Sequence, residues 1–421
     1  MAPHRRGACP GLTTPMLTGD GLLVRLQPTD SIALGAFEKL CEDARHHGNG
    51  TIEISARGSL QVRGLSAQSA SAFADAIGAL GVPAADGLSV TTDALRDDPD
   101  RLIDGDGLAD TLRDAIAQAS TRGQCALSNA LGPKVCVVVD GGGRLHLDAL
   151  AADVRLRAFG SREAPRLHVS VGGDAAAAMP IGSIALKQAP HLVLRLLRVI
   201  ASHGRNARVA DILHIDGGDL FRAAVAGQVE PAPELPRRAP ADVIGSHPLR
   251  DGCVALGIAL AFGHAHADAL AQLACDAREH GVHSIRLVPG RALLLLPVAP
   301  ENAAALSDEA AQLGFVVRCD DPRRRIVACP GKPACASGWI PARAIAAEIA
   351  QHLSPVGATV HISGCAKGCA HPRAAELTLV GSERGCGIIH HGSARDVPGT
   401  YVGSGDIVSA IIACEGEAAH V

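Results

Sequence analysis

The chain has 421 residues, 47% apolar but only 2% aromatic, and 39 Lys and Arg against 43 Asp and Glu give a net charge of −4. That length and apolar content suit roughly two to four packed domains and exclude intrinsic disorder, which needs low hydrophobicity and a large net charge. The scarcity of rings and of a basic field excludes a general single-stranded nucleic-acid binder, so an anionic ligand must be met by a few local cations. The longest apolar run, Cys253 to Phe262, falls well short of the ~20 residues of a membrane span. No apolar core follows the basic N-terminus as it would in a signal peptide. No nucleic acid and no membrane is expected as partner, and the expected address is the cytoplasm. In that compartment thirteen cysteines are thiols or metal ligands rather than a disulfide framework.

Taken in chain order, the elements repeat. A strand beginning at Gly19, Asp20 and Gly21 leads into a helix ending at Asp43, Ala44, Arg45, His46, His47 and Gly48. Strands over 51–55 and 59–63 and a helix over 67–80 follow. The same order restarts at Asp251, with a helix ending at Asp276, Ala277, Arg278, Glu279, His280 and Gly281, strands over 283–288 and 291–297, and a helix over 300–313. The two helix ends share Asp-Ala-Arg-x-His-Gly at an offset of 233 residues. This alternation predicts an α+β module with helices on one sheet face, present twice.

Each module is followed by a longer α/β segment. The first has expected helices over 108–119 and 189–203 and strand-like runs over 134–139, 144–147 and 167–171. The second has a helix over 341–353 and strands over 359–362 and 376–380. Gly141, Gly142 and Gly143 read as a hairpin turn between two strands, because a phosphate loop would need a helix next. No dinucleotide-binding fingerprint appears. Four prolines between Gln228 and Ala241 mark a linker. The expected units are 1–88, 89–227, the linker 228–243, 244–318 and 319–421.

The strongest chemical signal is Cys329 and Cys335, spaced C-x5-C, followed after a helix and a strand by Cys365 and Cys369, spaced C-x3-C. Four thiolates of this kind can hold a 4Fe–4S cluster. Pro330, Gly331, Pro333, Gly364 and Gly368 around them let backbone N–H groups approach sulfur. Structural zinc prefers pairs two to four residues apart, which x5 does not match. Four unrelated buried thiols would not need the Gly and Pro setting. The remaining cysteines (9, 41, 125, 136, 253, 275, 319, 386 and 414) show no paired spacing and are expected mostly as small buried apolar groups. No facial-triad spacing stands out among the histidines, so none is nominated as an iron ligand.

With the duplicated order, this cysteine pattern resembles the sulfite/nitrite reductase superfamily, in which the cluster sits beside a sirohaem. The N-terminal text (Arg6, Gly7, Ala8, Cys9, Pro10, Gly11 and Leu12, then Pro15, Met16 and 18–25) resembles the precorrin-3B synthase family within it. The resemblance covers nearly the whole chain. It implies a pseudo-duplicated α+β fold of two ferredoxin-like half-domains alternating with two α/β half-domains that bind cluster and tetrapyrrole. It also implies an oxidoreductase of the monooxygenase type in aerobic cobalamin biosynthesis, acting on precorrin-3A by C20 hydroxylation and γ-lactone formation. Cys329, Cys335, Cys365 and Cys369 would hold the 4Fe–4S cluster. Dioxygen would be co-substrate, an NAD(P)H-derived or ferredoxin-type donor would supply electrons, and a second iron centre or a sirohaem is left open.

A polycarboxylated macrocycle needs converging cations. Arg57 and Lys134 fall where the reductases place pocket cations, Arg63 lies on the next strand, and Lys332 and Lys367 sit inside the cysteine motifs; these five are the expected carboxylate contacts. Cys136 stands where the reductases have a second lysine, and no counterpart of their second pocket arginine is found before Leu95. Both departures count against the alternative, a ferredoxin-type sulfite or nitrite reductase with sirohaem. A second alternative is a non-catalytic electron-transfer protein that holds only the cluster.

Overall fold

The structure, a computed structural model, describes residues 9–85, 87–121, 127–403 and 405–418. Arg6, Gly7, Ala8 and Cys125 lie outside them, and the side chain of Cys414 is not described.

Four five-stranded sheets carry the described chain, and they form two matching pairs. The first sheet is antiparallel, in the order Met16–Thr18, Gly21–Leu26, Leu60–Leu65, Thr51–Ile54, His264–His266. Its counterpart is ordered Gly245–Pro248, Val254–Ala259, Ala292–Val298, Ser284–Val288, Ile32–Ala33. In each sheet the last strand comes from the other half of the chain. His264–His266 pairs with Thr51–Ile54, and Ile32–Ala33 pairs with Ser284–Val288.

Directly after these exchanged strands come the helices Leu34–His47 and Ala267–Glu279. Their buried stripes are Leu34, Phe37, Leu40, Cys41, Ala44 and Ala267, Leu270, Leu273, Ala274, Ala277, each pair 233 residues apart. The spacing is that of one face of an amphipathic helix. Both stripes enter one apolar core with Val24, Ile52, Val62, Ile258, Ile285 and Leu295 from the two sheets. The repeat thus has a packing cause: each helix needs the same stripe because the two lie against the same core.

The other two sheets also match. Ser89–Thr92, Cys136–Asp140 and Ala152–Gly160 are parallel, and Pro165–Gly173 and Met179–Ala185 continue antiparallel. Ile326–Ala328, Val360–Ser363 and Ala375–Ser382 are parallel, and Gly385–Gly392 and Thr400–Val402 continue antiparallel.

The expected strand over 144–147 is absent, and Gly141–Gly143 is not a hairpin, because the strands flanking it are parallel neighbours. Carboxylates satisfy the backbone instead: Arg144 N donates to Asp98 Oδ2 at 2.6 Å and Gly142 N to Asp140 Oδ1 at 2.9 Å. The segment that follows Gly227 runs mostly without regular structure and is tied down. Glu230 exchanges backbone hydrogen bonds with Ser183, and Arg238 forks onto Asp140 and Asp148. No helix among the described residues is long and apolar enough to cross a membrane.

His264 stands directly opposite Glu53 across the exchanged strand pair, with its Nδ1 buried and unpartnered. Burial, and then the charge of Arg343, lower its pKa from 6.5 to about 4. The folded protein therefore binds fewer protons than the unfolded chain between these values. This contribution to stability is whole above the ordinary histidine pKa and is lost as pH falls toward 4. His264→Gln should lose less Tm than the parent between about pH 7 and pH 5; equal losses would assign the acid sensitivity to another group.

Candidate functional site

Parallel strands end at the same edge of a sheet, and this brings the cysteines together. Cys329 follows Ile326–Ala328 directly and Cys365 lies two residues beyond its neighbour Val360–Ser363. Cys329 N donates to Ile362 O at 3.1 Å, and Trp339 N to Gly364 O at 2.7 Å, so the two loops are bonded to each other. Gly331, at φ 66°, lies against Ala342 and Ile340, where a Cβ would collide with backbone.

The four thiols form no disulfide. Gly364 N donates to Cys329 Sγ at 3.0 Å. Burial pushes the Cys329 thiol up, and the N–H groups of Gly364 and Gly331 act in the opposite direction. Cys369 is also pushed up, first by burial and then by Cys365 and Cys335, with Lys367 and Lys134 opposing. Cys335 and Cys365 thus act on both Cys329 and Cys369. Among the described residues no three His, Cys, Asp or Glu side chains converge as they would on a single ion. Thiols on adjoining loops, with backbone N–H groups on the Cys329 sulfur, fit the donor set of an iron–sulfur cluster.

Beside the thiols lies an open cavity of about 530 Å3. Arg25, Arg57 and Arg63 come from the first sheet and its turn, Lys134 precedes the strand Cys136–Asp140, Arg208 precedes the helix Val209–Asp216, Arg291 precedes the strand Ala292–Val298, and Arg343 lies in the helix Ala342–Ala350. Cys9, Cys136, Cys329 and Cys369 also face it, and Glu53 is the carboxylate in its wall. Several guanidiniums keep unmet donors: Arg25 Nε, Arg57 Nη1 and Arg343 Nε are buried without a partner among the described residues. Buried donors are nearly always satisfied, so such a set points to an anionic ligand.

Several arginines of the wall are anchored through their other nitrogens. Arg57 Nη2 donates to Ala151 O at 2.7 Å, and Arg208 forks onto Asp153 at 3.0 Å on both arms. Arg291, held at φ 63°, donates to Ala370 O at 3.1 Å, next to Cys369.

Of the five expected carboxylate contacts, the structure brings Arg57, Arg63 and Lys134 to the cavity. Arg63, only 4% exposed, is taken up by Asp20, Glu53 and the Ala334 carbonyl, so it has little left for a ligand. Lys332 and Lys367 are exposed and lie outside the cavity wall; Lys367 donates to Ser337 Oγ at 2.8 Å. Arg25, Arg208, Arg343 and Glu53 were not anticipated. A cation within the mostly buried strand Gly21–Leu26 is the one local signal that could have found Arg25. His361 was also missed: it is fully buried, both ring nitrogens lack partners, and its ring meets His371 edge-on at 5.5 Å. The remaining cysteines are less buried than expected. Cys41, Cys136 and Cys386 are interior, but Cys9 and Cys253 are half-buried and Cys275 and Cys319 exposed, the last two on a helix surface and in a turn.

A precorrin-3B synthase from Sinorhizobium sp is 39% identical over 416 residues, covering 98% of this chain and 88% of that protein. The chain belongs to the precorrin-3B synthase family. It is an oxidoreductase. More distantly, it is 29% identical over 199 residues to a sulfite reductase [ferredoxin] of Synechococcus elongatus, covering 43% of this chain and 32% of that protein. A ferredoxin–nitrite reductase of Zea mays is 26% identical over 209 residues, covering 45% and 37%. The solved structure of the Mycobacterium tuberculosis NirA protein superposes with a TM-score of 0.75 at 19% identity, covering 93% of this chain and 79% of that one. That likeness establishes the α+β sulfite/nitrite reductase fold. A scan against models of protein families returned no match.

The loop between Cys329 and Cys335 is held from the first half. Gly19 N and Arg63 Nη2 both donate to Ala334 O, at 3.1 and 2.5 Å. A Cβ on Gly19 would press on the Pro333 carbonyl and lie 2.9 Å from the Cys335 carbonyl carbon. Gly19→Ala should therefore displace the loop and weaken cluster retention about 10–100-fold, as loss of an outer-shell partner does. Iron and acid-labile sulfide per chain, with circular dichroism as the fold control, measure this; unchanged iron content would show that the loop is held elsewhere.

Proposed function

We propose that this enzyme converts precorrin-3A to precorrin-3B with dioxygen, in the aerobic route to cobalamin. C20 of the macrocycle gains a hydroxyl, and an acetate on ring A closes to a γ-lactone. One atom of dioxygen enters the product and the other leaves as water, taking an electron pair from an external NAD(P)H-derived or ferredoxin-type donor. Cys329, Cys335, Cys365 and Cys369 would hold a 4Fe–4S cluster, which when bound supplies electrons singly. A second iron centre or a sirohaem-like group beside it belongs to the same reading.

The observation that carries this proposal is the cavity. Its cations from separate elements of the fold surround a void next to two of the cluster thiols. The rim of the substrate bears acetates and propionates, and arginine forks match carboxylates in geometry as well as charge. Arg25 and Arg57, each with a buried unpartnered N–H, are the proposed carboxylate readers, and Arg343 offers a third such donor. Lys134, exposed at the cavity edge, adds a point charge. Held at several carboxylates, the macrocycle cannot rotate in its plane, so one edge is fixed toward the thiols; this is catalysis by positioning.

Incubation of the anaerobically purified protein with precorrin-3A and reductant, then oxygen, tests the assignment. The expected result is a product heavier by one oxygen atom. Unchanged macrocycle with consumption of sulfite or nitrite would favour a reductase instead. Cys369→Ser should lose or strongly alter the cluster absorbance, and a normal spectrum would remove Cys369 from the ligand set. Arg25→Gln or Arg57→Gln should weaken macrocycle binding by about 1.5–3 kcal/mol, roughly 10–150-fold, as for a lost hydrogen bond to a charged group. Titration of the macrocycle's absorbance measures it.

A further inference from the structure

A buried run of alternating charges joins the surface of the first half to the cluster loop and to the cavity. Asp20 takes Arg63 Nε at 3.0 Å and Nη2 at 2.8 Å. The same Nη2 reaches the Ala334 carbonyl, one residue before Cys335, whose charge acts on Arg63. Arg63 Nη1 faces Glu53 Oε1 at 3.4 Å, and the same oxygen is ion-paired with Arg343 Nη1 at 2.8 Å, neither contact having hydrogen-bond geometry. Arg343 belongs to the helix Ala342–Ala350 and lines the cavity with Glu53. Arg63 and Glu53 are 4% and 7% exposed, so solvent screens these pairs far less than surface pairs.

One carboxylate oxygen is thus shared by two guanidiniums, one at the cluster loop and one in the cavity. A ligand carboxylate that meets Arg343 competes for it. Glu53 is then released toward Arg63 and neutralises more of its charge. With less positive charge beside Cys335, adding an electron to the cluster becomes harder, since its potential follows the local charge.

We propose that Asp20, Arg63, Glu53 and Arg343 form a charge relay through which a polycarboxylate in the cavity lowers the reduction potential of the cluster, with Arg63 and Glu53 as its positioning residues. The relay rests on the function proposed above. It makes the cluster a stronger reductant only when the macrocycle is in place, which directs electrons to dioxygen beside the substrate. Linkage requires the converse: the oxidised protein binds the macrocycle more tightly than the reduced one by the same factor.

The test is a redox titration of the cluster-loaded protein, followed by electron paramagnetic resonance, with and without saturating uroporphyrin III as a stable tetrapyrrole polycarboxylate. The expected shift is downward and equivalent to about tenfold in affinity, ~59 mV for a one-electron couple. The ligand's own charge contributes directly to this shift, so comparison with Glu53→Gln is decisive: that variant should still bind uroporphyrin but lose more than half of the shift. An equal shift in parent and variant, or bound uroporphyrin with no shift in the parent, overturns the relay and leaves the enzymatic assignment standing. Absence of iron and sulfide, or of uroporphyrin binding, overturns both. Should Glu53→Gln fail to keep its cluster, Glu53→Asp, which keeps the charge but draws the carboxylate back from the two guanidiniums, takes its place; an unchanged shift there is equally fatal.

Discussion

The exchange of edge strands between the two halves is the constraint on which the rest of the molecule depends. Ala265 pairs with Ile52 and Ile285 with Ile32, so neither small sheet is complete without a segment more than 200 residues away. The helices that follow the exchanged strands share one core, and separating the halves would expose both stripes at once. An unpaired edge and a bare apolar stripe are each costly in water, and together they lock the relative position of the halves. The cavity lies where the units meet, so its shape is inherited from this lock.

The same exchange places the polar groups. Glu53 and His264 face each other only because a strand of the second half is laid beside Thr51–Ile54. Arg343 reaches Glu53 from the second half of the chain, and Arg63 reaches Ala334 in the opposite direction. Buried charges tolerate little misplacement, because an unpaired one costs several kcal/mol. The interface between halves is therefore fixed twice, by apolar packing that sets the distance and by ion pairs that set the register.

Local features were legible in the sequence. The 233-residue offset and most helix limits depend on spacing within a few turns or strands and fall where the pattern put them, and the two cysteine-bearing loops follow adjacent parallel strands. The extended segments were less so. The run over 167–171 lies inside the strand Pro165–Gly173, but Ala152–Gly160 was not marked, because Arg155 and Arg157 interrupt its apolar run although Val154 and Leu156 face the core. The run over 144–147 alternates like a strand, yet aspartates capture its N–H groups before a neighbour can. Of the cavity, the members in recognisable text (Arg57, Lys134 and the thiols) were accessible. Arg208 and Arg343 were not, because each is brought in by a long-range crossover with no local pattern to mark it. Lys332 and Lys367 were nominated for lying close to the cysteines in sequence, but the turns that expose cysteine sulfur to one side turn these lysines to the other.

A chain with net negative charge can still build a strongly cationic cavity, because its acids stand behind the arginines rather than in front of them. Asp153 grips Arg208 by both arms, and Asp20 grips Arg63 in the same way. Such pairs take one face of the guanidinium and freeze its rotamer, so less entropy is lost when the remaining N–H groups meet a ligand. Among the described residues Arg25 and Arg57 differ in having no carboxylate partner, which leaves their charge uncompensated toward the void. The arginines thus divide by what lies behind them: those backed by aspartate hold the frame, and those backed by backbone or by nothing keep N–H groups unmet toward the void. Arg343 belongs to both groups, with Glu53 on one nitrogen and an empty Nε. A residue divided in this way is where ligand recognition and the surroundings of the cluster can exchange free energy.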